Sequence, residues 1–317
     1  MKYLNKIIYI TAFLLIAAGL TACSASNKQN KEDKLSIVTT LFPDYDFAKQ
    51  IAGDKADVTL LLDPGVESHD YDPSPSDIIT INKADLFIYT GDSMEHWVSN
   101  IIDSLEKDSV TVVDASVNIS LVKSAKTTQE SEGRETALDL EYDPHIWTNP
   151  KNALIMINTI LDAIIKKDPD NKEYYQQNAE AYASEIRKLD TEFREIAENA
   201  KYNTIYFGGR FALIYFVQEY GLAYMSAFDS CSSETEPSAK LITNIIEAMK
   251  KSGATVVYYE ELADPKAAQA IAEEIGGTTL LLHSCHNVSA EDMKKNVTYV
   301  SLMRQNAENL KIGLGEK

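Results

Sequence analysis

The sequence predicts an α/β protein of two lobes, each with a parallel four-stranded sheet flanked by helices. Four short apolar runs occur in each half of the chain, and longer polar stretches separate them. Runs without strict alternation are typical of strands buried on both faces of a parallel sheet. The predicted strands cover residues 35–40, 57–62, 84–89 and 110–114, and then residues 204–207, 222–228, 255–260 and 278–282.

A helical segment between the two halves is the third observation behind this fold. Asn149 followed by Pro150 offers a cap and a first helical residue, and this helix is predicted to end near Asp168. A second helix follows over about residues 170–199, at roughly 45 Å long enough to join two lobes as a rigid strut. The alternative interpretation of this second helix is a core helix of one lobe. The apolar residues of the second helix recur at helical spacing: Tyr175, Ala179, Tyr182, Ile186, Leu189, Phe193 and Ile196.

The first 34 residues predict export and a lipid anchor. Two lysines precede an apolar run at residues 7–20, which is shorter than the roughly 20 residues of a membrane span and is typical of a secretory signal. Small residues lead to Cys23, as in a lipoprotein signal (residues 1–22) that is cut before a lipid-carrying cysteine. A chance cysteine after an ordinary signal is the alternative. Residues 23–34 are polar and predict a flexible tether, so the mature protein is expected outside the cytoplasm, on the outer face of the cell membrane.

Charge and motif content exclude several functions. The 317 residues include 48 acids and 30 lysines and arginines, giving a net charge of −18. Nucleic-acid binding needs a basic surface, so it is not expected. The sequence contains no glycine-rich phosphate loop, no nucleophile elbow and no HExxH pattern. The competing enzyme class, a zinc hydrolase, would need a general base beside a bound water; no such base stands out in the sequence, so an enzyme is not expected.

Four of the five histidines lie where an α/β protein binds its ligands. His69 follows the second predicted strand, His145 precedes a helix, and His283 and His286 follow the last strand. Ligands of open α/β sheets bind beyond the carboxyl ends of strands. Imidazole is a common zinc ligand, so these positions predict a metal site, although each histidine alone is more typical of a surface or core residue.

A ligating imidazole needs an acceptor for its second nitrogen. Asp70 and Asp143 lie next to two of these histidines in the sequence and are candidates for that role. His96, in a predicted helix, is interpreted as a surface residue.

Several short motifs, specific only in combination, place the chain in a known family. They are Phe42-Pro43, residues 65–73 with His69, Ala84-Asp85-Leu86 with Gly91 and Trp97, residues 143–150 with His145, Tyr215-Phe216, Tyr220-Gly221-Leu222, Glu236-Pro237-Ser238 and Thr298-Tyr299. With these, nearly all of the mature chain resembles the zinc- and manganese-binding lipoproteins of bacterial ABC importers (cluster A-I, zinc type). The resemblance implies two lobes, residues 35–169 and 201–317, joined by a long helix at 170–200. It also implies a metal between the lobes and delivery to a permease and its ATPase.

The resemblance also carries over metal ligands, with one departure. The family's first two histidine ligands fall on His69 and His145. Its third falls on Arg210, ten residues before Tyr220, and arginine cannot be deprotonated to ligate a metal. The fourth falls at about His283.

We therefore expect the second lobe to supply its ligands differently. The hypothesis is that His283 or His286 replaces the missing histidine, with His283 slightly preferred. Arg210 would then pair with an acid such as Glu260, or hold an anion beside the metal.

Zinc is the predicted metal, because nitrogen ligands in a closed tetrahedral shell favour zinc and manganese prefers more oxygen ligands. The acids that could contribute oxygen are Glu67, Glu234, Glu236 and Glu260. The polar insertion at residues 123–140 lacks the histidine run that zinc-binding members often carry.

The two cysteines of the second lobe allow two interpretations. Cys231 and Cys285 each follow a predicted strand at the same sheet edge, and in an exported protein a disulfide between them is favoured. The alternative is that Cys285 is a thiolate ligand of the metal.

The sequence as a whole predicts a monomeric extracytoplasmic receptor that captures a divalent metal, chiefly zinc, for an ABC importer. The alternatives are a manganese-binding homologue, a binder of a metal chelate or anion that uses Arg210, and a surface adhesin displayed by its lipid anchor.

Overall fold

Eight parallel strands form two separate four-stranded sheets in the computed structural model, which describes residues 34–66, 71–103, 105, 110–124, 141–228 and 238–315. The strands are β1 (Leu35–Thr39), β2 (Ala56–Leu60), β3 (Leu86–Tyr89), β4 (Thr111–Asp114), β5 (Thr204–Arg210), β6 (Ala223–Phe228), β7 (Val256–Tyr259) and β8 (Thr278–Leu281). The first sheet has the order β2-β1-β3-β4 and the second the order β6-β5-β7-β8. Because every pair is parallel, the carboxyl ends of the strands in each sheet lie along one edge.

Helices connect the strands and cover both faces of each sheet. The helices are α1 (Phe42–Ala52), α2 (Pro75–Asn82), α3 (Val98–Ile102), α4 (Pro150–Lys167), α5 (Lys172–Asn199), α6 (Ile214–Tyr220), α7 (Ala239–Ser252), α8 (Lys266–Ile275), α9 (Ala290–Lys294) and α10 (Tyr299–Leu314). The outer face of the first sheet packs against α2 and α3, and the outer face of the second packs against α7 and α8. All eight predicted strands are present, and the predicted fold class is confirmed.

The start of α4 follows from its capping residues. The side chain of Asn149 accepts a hydrogen bond from the backbone N–H of Lys151, and Pro150 is the first helical residue. This satisfies one of the N–H groups that a helix start leaves without an intrahelical partner.

The long helix α5 has 28 residues and joins the two halves of the fold. It packs against α1 and α4 of the first half and against α10 of the second. One hydrophobic core contains its buried stripe together with residues of both sheets, such as Ile37 of β1 and Phe207 of β5. Of the predicted stripe, Tyr182 is half-buried and the rest are buried. The prediction that this helix joins the two lobes is therefore confirmed, and the alternative of a core helix of one lobe is not.

Residues from Leu35 onward form one compact unit by their contacts. We use the predicted boundaries as names, the N-terminal lobe for residues 35–169 and the C-terminal lobe for residues 201–317. The predicted signal, the predicted lipidation site Cys23 and most of the 123–140 insertion lie outside the described residues. Within the described part of the chain, no helix combines the length and the apolar character that a membrane span requires.

Candidate metal centre

The segment between β8 and α9 carries both histidines of the C-terminal lobe and reaches the N-terminal lobe. We call residues 283–288 the bridge segment. The carbonyl oxygen of Ser284 accepts a hydrogen bond from the indole Nε1 of Trp147 at 2.7 Å. The carbonyl oxygen of His286 accepts one from the backbone N–H of Phe42 at 3.3 Å. These bonds bring the carboxyl edges of the two sheets together through a segment that the second sheet supplies.

Asn287 ties the bridge segment to the loop that follows β2. This fully buried side chain donates hydrogen bonds through Nδ2 to the carbonyl oxygens of Asp63 at 2.9 Å and Val66 at 2.8 Å. The same loop continues to His69 in the sequence. His69 itself lies outside the described residues, as do Glu67 and Asp70.

His145 is buried in the N-terminal lobe with an acceptor at one ring nitrogen. Its Nδ1 lies 3.0 Å from Oδ1 of Asp143, which also accepts the backbone N–H of His145, and both side chains are 1% exposed. A carboxylate accepts and does not donate, so Nδ1 carries a hydrogen, and in the neutral ring the lone pair is on Nε2. Asp143 thus occupies the acceptor position that the sequence suggested, and its own carbonyl accepts the hydroxyl of Tyr215 from the C-terminal lobe at 2.7 Å.

His283 uses its Nδ1 inside the protein. Nδ1 accepts a hydrogen bond from the backbone N–H of Cys285 at 2.9 Å. The side chain of Asn306 bonds both the N–H and the carbonyl of His283, each at 2.7 Å. Burial lowers the pKa of His283, so the ring is neutral and its hydrogen is on Nε2. Neither nitrogen then offers a lone pair to a metal, and the geometry does not support the preference for His283 over His286.

His286 faces two polar groups with its Nδ1. That nitrogen lies 2.5 Å from the hydroxyl of Ser284 and 3.2 Å from Oε1 of Glu261. Both oxygens of Glu261 accept hydrogen bonds from Ser284, so this carboxyl stands beside Nδ1 of His286 as an acceptor.

Arg210, at the end of β5, lies near Glu260, and their predicted pairing stays a prediction. The Glu260 carboxyl accepts the backbone N–H of Arg210. Burial raises the pKa of Glu260 to about 7, the charge of Glu261 adds to this, and the charge of Arg210 opposes it. Its Oε2 is buried without a hydrogen-bond partner among the described residues. A Cβ on Gly209 would lie 2.5 Å from this oxygen, so glycine at 209 leaves room for the carboxyl.

Cys285 is fully buried and its thiol is free. Burial raises the pKa of the thiol well above its usual value, so the reactive thiolate form is disfavoured. Cys231, the predicted disulfide partner, lies outside the described part of the chain, and both the disulfide and the thiolate ligand stay predictions.

The predicted ligands come together only in part. Among the described residues, no three histidine, cysteine or carboxylate side chains form a group that could hold a metal ion. His69, Cys231, Glu234 and Glu236 are not among those residues, so the full ligand set stays a prediction. Sequence reasoning missed Glu261, although its position at the carboxyl end of β7, next to Glu260, was a signal that could have identified it.

Residues 37–313 match the family described as the periplasmic zinc-uptake complex component A. The chain belongs to this family. Its members are binding components of uptake systems and not enzymes, which agrees with the sequence interpretation.

Two relatives show how far the similarity extends. The high-affinity zinc uptake system protein ZnuA of Bacillus subtilis (strain 168) is 35% identical over 314 residues, which are 99% of this chain and 98% of that protein. The zinc-binding lipoprotein AdcA of Streptococcus pneumoniae (strain ATCC BAA-255 / R6) is 35% identical over 301 residues, 94% of this chain. This chain spans 59% of the length of AdcA.

Solved structures confirm the fold. The Zn(II)-bound ZnuA-like domain of Streptococcus pneumoniae AdcA matches with a TM-score of 0.74 and 33% identity, covering 89% of this chain and 99% of that chain. The laminin binding protein of Streptococcus agalactiae, described as a bifunctional protein with adhesin and metal transporting activity, matches with a TM-score of 0.74 and 27% identity. That match covers 88% of this chain and 99% of the other.

Proposed function

We propose that this chain is the zinc receptor of an ABC importer, which captures Zn²⁺ between its two lobes and delivers it to the permease. The observation that carries the proposal is the buried His145, whose Nδ1 is held by Asp143. A ligating histidine usually donates its other nitrogen to such a carboxylate. Membership of a family described by zinc uptake supports the same cargo.

We propose His69, His145 and His286 as the nitrogen ligands. The resemblance assigns the first two, and His286 takes the place of the histidine that Arg210 replaces. Among the described residues Glu260 forms no metal-holding group with His145 and His286, so we place its carboxyl beside Arg210 and outside the ligand set. Arg210 offsets the negative charge of this carboxyl.

Zinc is favoured over manganese by the nitrogen-rich ligand set. Manganese prefers carboxylate, carbonyl and water oxygens, and the proposed ligands are all imidazole nitrogens. Both curated relatives described above are named for zinc.

We propose a lipid anchor at Cys23 that holds the receptor on the outer face of the cell membrane. The small-residue pattern before Cys23 and the lipoprotein name of AdcA support this anchor. The permease and its ATPase are the proposed partners, as the resemblance to ABC importer components implies.

Titration of the metal-free mature chain with zinc against a competing chelator tests the proposal, with manganese titrated in parallel. We expect one site per chain that binds zinc more tightly than manganese. His145→Ala and His286→Ala should each weaken binding by more than about 100-fold. His96→Ala is the matched control, because His96 is exposed. Tighter binding of manganese would contradict the choice of zinc, and unchanged binding in both variants would contradict the site.

Adhesion is a second candidate function, favoured by the similarity to the laminin binding protein of Streptococcus agalactiae. Binding of the mature chain to immobilised laminin, measured with and without zinc, tests it. Saturable binding would support this second role, and signal equal to an albumin-coated surface would remove it.

A further inference from the structure

We propose that Glu261 is a positioning residue of the metal site, which together with Ser284 fixes the tautomer of His286 and thereby makes His286, and not His283, the ligand of the C-terminal lobe. This inference rests on the proposed zinc-binding function. Neither Glu261 nor Ser284 corresponds to a ligand position that the resemblance carries over.

The Glu261 carboxylate is locked onto the bridge segment by both of its oxygens. Oε2 accepts the backbone N–H of Ser284 at 2.8 Å, and Oε1 accepts the Ser284 hydroxyl at 2.6 Å. The Glu261 side chain is 6% exposed. A carboxylate that accepts two hydrogen bonds from one residue has a fixed orientation relative to it. Glu261 therefore presents Oε1 at one place beside the histidines.

Counting hydrogens around Ser284 assigns the tautomer of His286. The Ser284 hydroxyl lies 2.6 Å from Oε1 of Glu261 and 2.5 Å from Nδ1 of His286. A hydroxyl has one hydrogen and can supply only one of these contacts. Without a hydrogen on Nδ1, the other contact would bring two lone pairs together at hydrogen-bond distance. His286 thus carries a hydrogen on Nδ1, and in the neutral ring the lone pair is on Nε2, the nitrogen that can bind a metal.

His283 lies beside the same carboxylate but holds its hydrogen on the other ring nitrogen. Nδ1 of His283 is 3.4 Å from Oε1 of Glu261, too long for a good hydrogen bond, and it accepts the N–H of Cys285 instead. His283 therefore has its hydrogen on Nε2. Two histidines three positions apart thus differ in which nitrogen holds the hydrogen, and only His286 matches the arrangement of His145 with Asp143.

The ring nitrogens can be measured directly. Long-range proton–nitrogen NMR spectra of the metal-free protein with ¹⁵N-labelled histidine distinguish the two tautomers, and His283→Gln and His286→Gln variants assign the signals. We expect His286 with hydrogen on Nδ1 and His283 with hydrogen on Nε2. The reverse assignment for His286 would overturn the proposal without any variant of Glu261.

Glu261→Gln tests the positioning role. The amide can place a donor against the Ser284 hydroxyl, so we expect His286 to populate both tautomers and zinc affinity to fall by about 10–100-fold. Glu261→Asp keeps an acceptor and should recover part of the affinity. Glu192→Gln is the control, because Glu192 pairs with Lys311 between α5 and α10. Weaker binding with an unchanged His286 tautomer would show a structural role only and would overturn the inference.

Failure of the inference and failure of the proposed function give different results. If the wild-type chain takes no zinc, the proposed function fails and the positioning role falls with it. If the wild-type chain binds zinc through His286 and Glu261→Gln binds it equally well, the inference alone fails.

Discussion

The side-chain amide of Asn287 donates a 2.8 Å hydrogen bond to the carbonyl oxygen of Val66, across the junction of the two lobes. A second bond from the same nitrogen reaches the carbonyl of Asp63 at 2.9 Å. Asn287 directly follows His286 in the sequence, and Val66 stands three residues before His69. One buried amide therefore connects the chain segments that carry two of the proposed ligands.

Asn287→Asp should destabilise the fold and speed the release of zinc. The new carboxylate cannot donate to either carbonyl and repels both, so we expect the free energy of unfolding to fall by about 2–4 kcal/mol. Urea unfolding measures the stability, and stopped-flow transfer of zinc to a chelator measures the release. Asn178→Asp is the control, because Asn178 donates a similar 3.1 Å bond to the carbonyl of Ile51. It should lower stability without changing release; equal release from both variants and the wild type would contradict the prediction.

Two buried carboxyls in the N-terminal lobe should make stability depend on pH. Thr90 contacts both: its hydroxyl donates to Asp44 at 2.7 Å and its N–H donates to Glu95 at 3.2 Å. Burial, with the nearby charge of Asp114, raises the pKa of Asp44 from 3.8 to about 7. Burial, with the charge of Asp44, raises the pKa of Glu95 from 4.5 to about 8. The folded chain therefore binds protons more tightly than the unfolded chain.

This pair contributes its full stability below about pH 4 and loses it as the pH rises through about 7 to 8. Asp44→Asn removes one of the two titrating groups. We expect the variant to gain on the order of 2–4 kcal/mol relative to the wild type between about pH 5 and about pH 8. Urea unfolding of both proteins at both pH values measures this difference. The other ionisable groups are the same in the two proteins, so their contributions cancel in the comparison. Parallel pH profiles for the two proteins would contradict the raised pKa of Asp44.

Trp147 should report zinc binding by its fluorescence. It is one of two tryptophans in the chain and is fully buried, with its ring centroid 5.5 Å from that of His145. Binding of zinc to this imidazole changes the charge beside the indole, so we expect its emission to change on titration. Trp97→Phe should keep the change and Trp147→Phe should lose it. A change that persists in Trp147→Phe would place the metal elsewhere.

Phe193→Ala should weaken the junction that α5 makes with the C-terminal lobe. Phe193 is 1% exposed and its ring lies 4.9 Å from Phe216. Removal of a buried phenyl ring costs about 3–5 kcal/mol, which denaturant unfolding measures. Ile312→Ala is the control, because Ile312 is 62% exposed and should change stability by less than about 0.5 kcal/mol. Equal losses in the two variants would contradict the role of α5 in the shared core.

The fold could be predicted from the sequence because burial on both faces leaves continuous apolar runs in every strand. The largest boundary error is in β5, predicted to end at residue 207 and observed to end at Arg210. Gly208 and Gly209 interrupt the apolar pattern there. Tertiary packing requires glycine at both positions, since a Cβ at Gly208 would lie 2.4 Å from the Cα of Ala268 and one at Gly209 would meet Glu260.

The acceptor that holds a proposed histidine ligand could be predicted where the acceptor and the histidine are neighbours in the sequence. Asp143 precedes His145 by two residues, and its contact with that ring follows from adjacency. The partner of His286 comes from the end of a different strand, so the sequence did not single out Glu261. The choice between His283 and His286 depends on which ring nitrogen already holds a hydrogen, and no spacing of residues encodes that.

The hydrophobic core that runs from one sheet to the other determines what can move when metal is exchanged. Separation of the lobes would expose side chains such as Phe193 and Phe207, at a cost of about 25 cal/mol for each Å² of apolar surface. We therefore expect the loaded and empty receptors to share one frame and to differ in the order of the bridge segment and the loop it holds. Hydrogen exchange should slow in residues 283–288 on zinc binding and stay constant in α5. Under the proposed function, a permease would then distinguish the loaded receptor from the empty one by the order of its bridge segment.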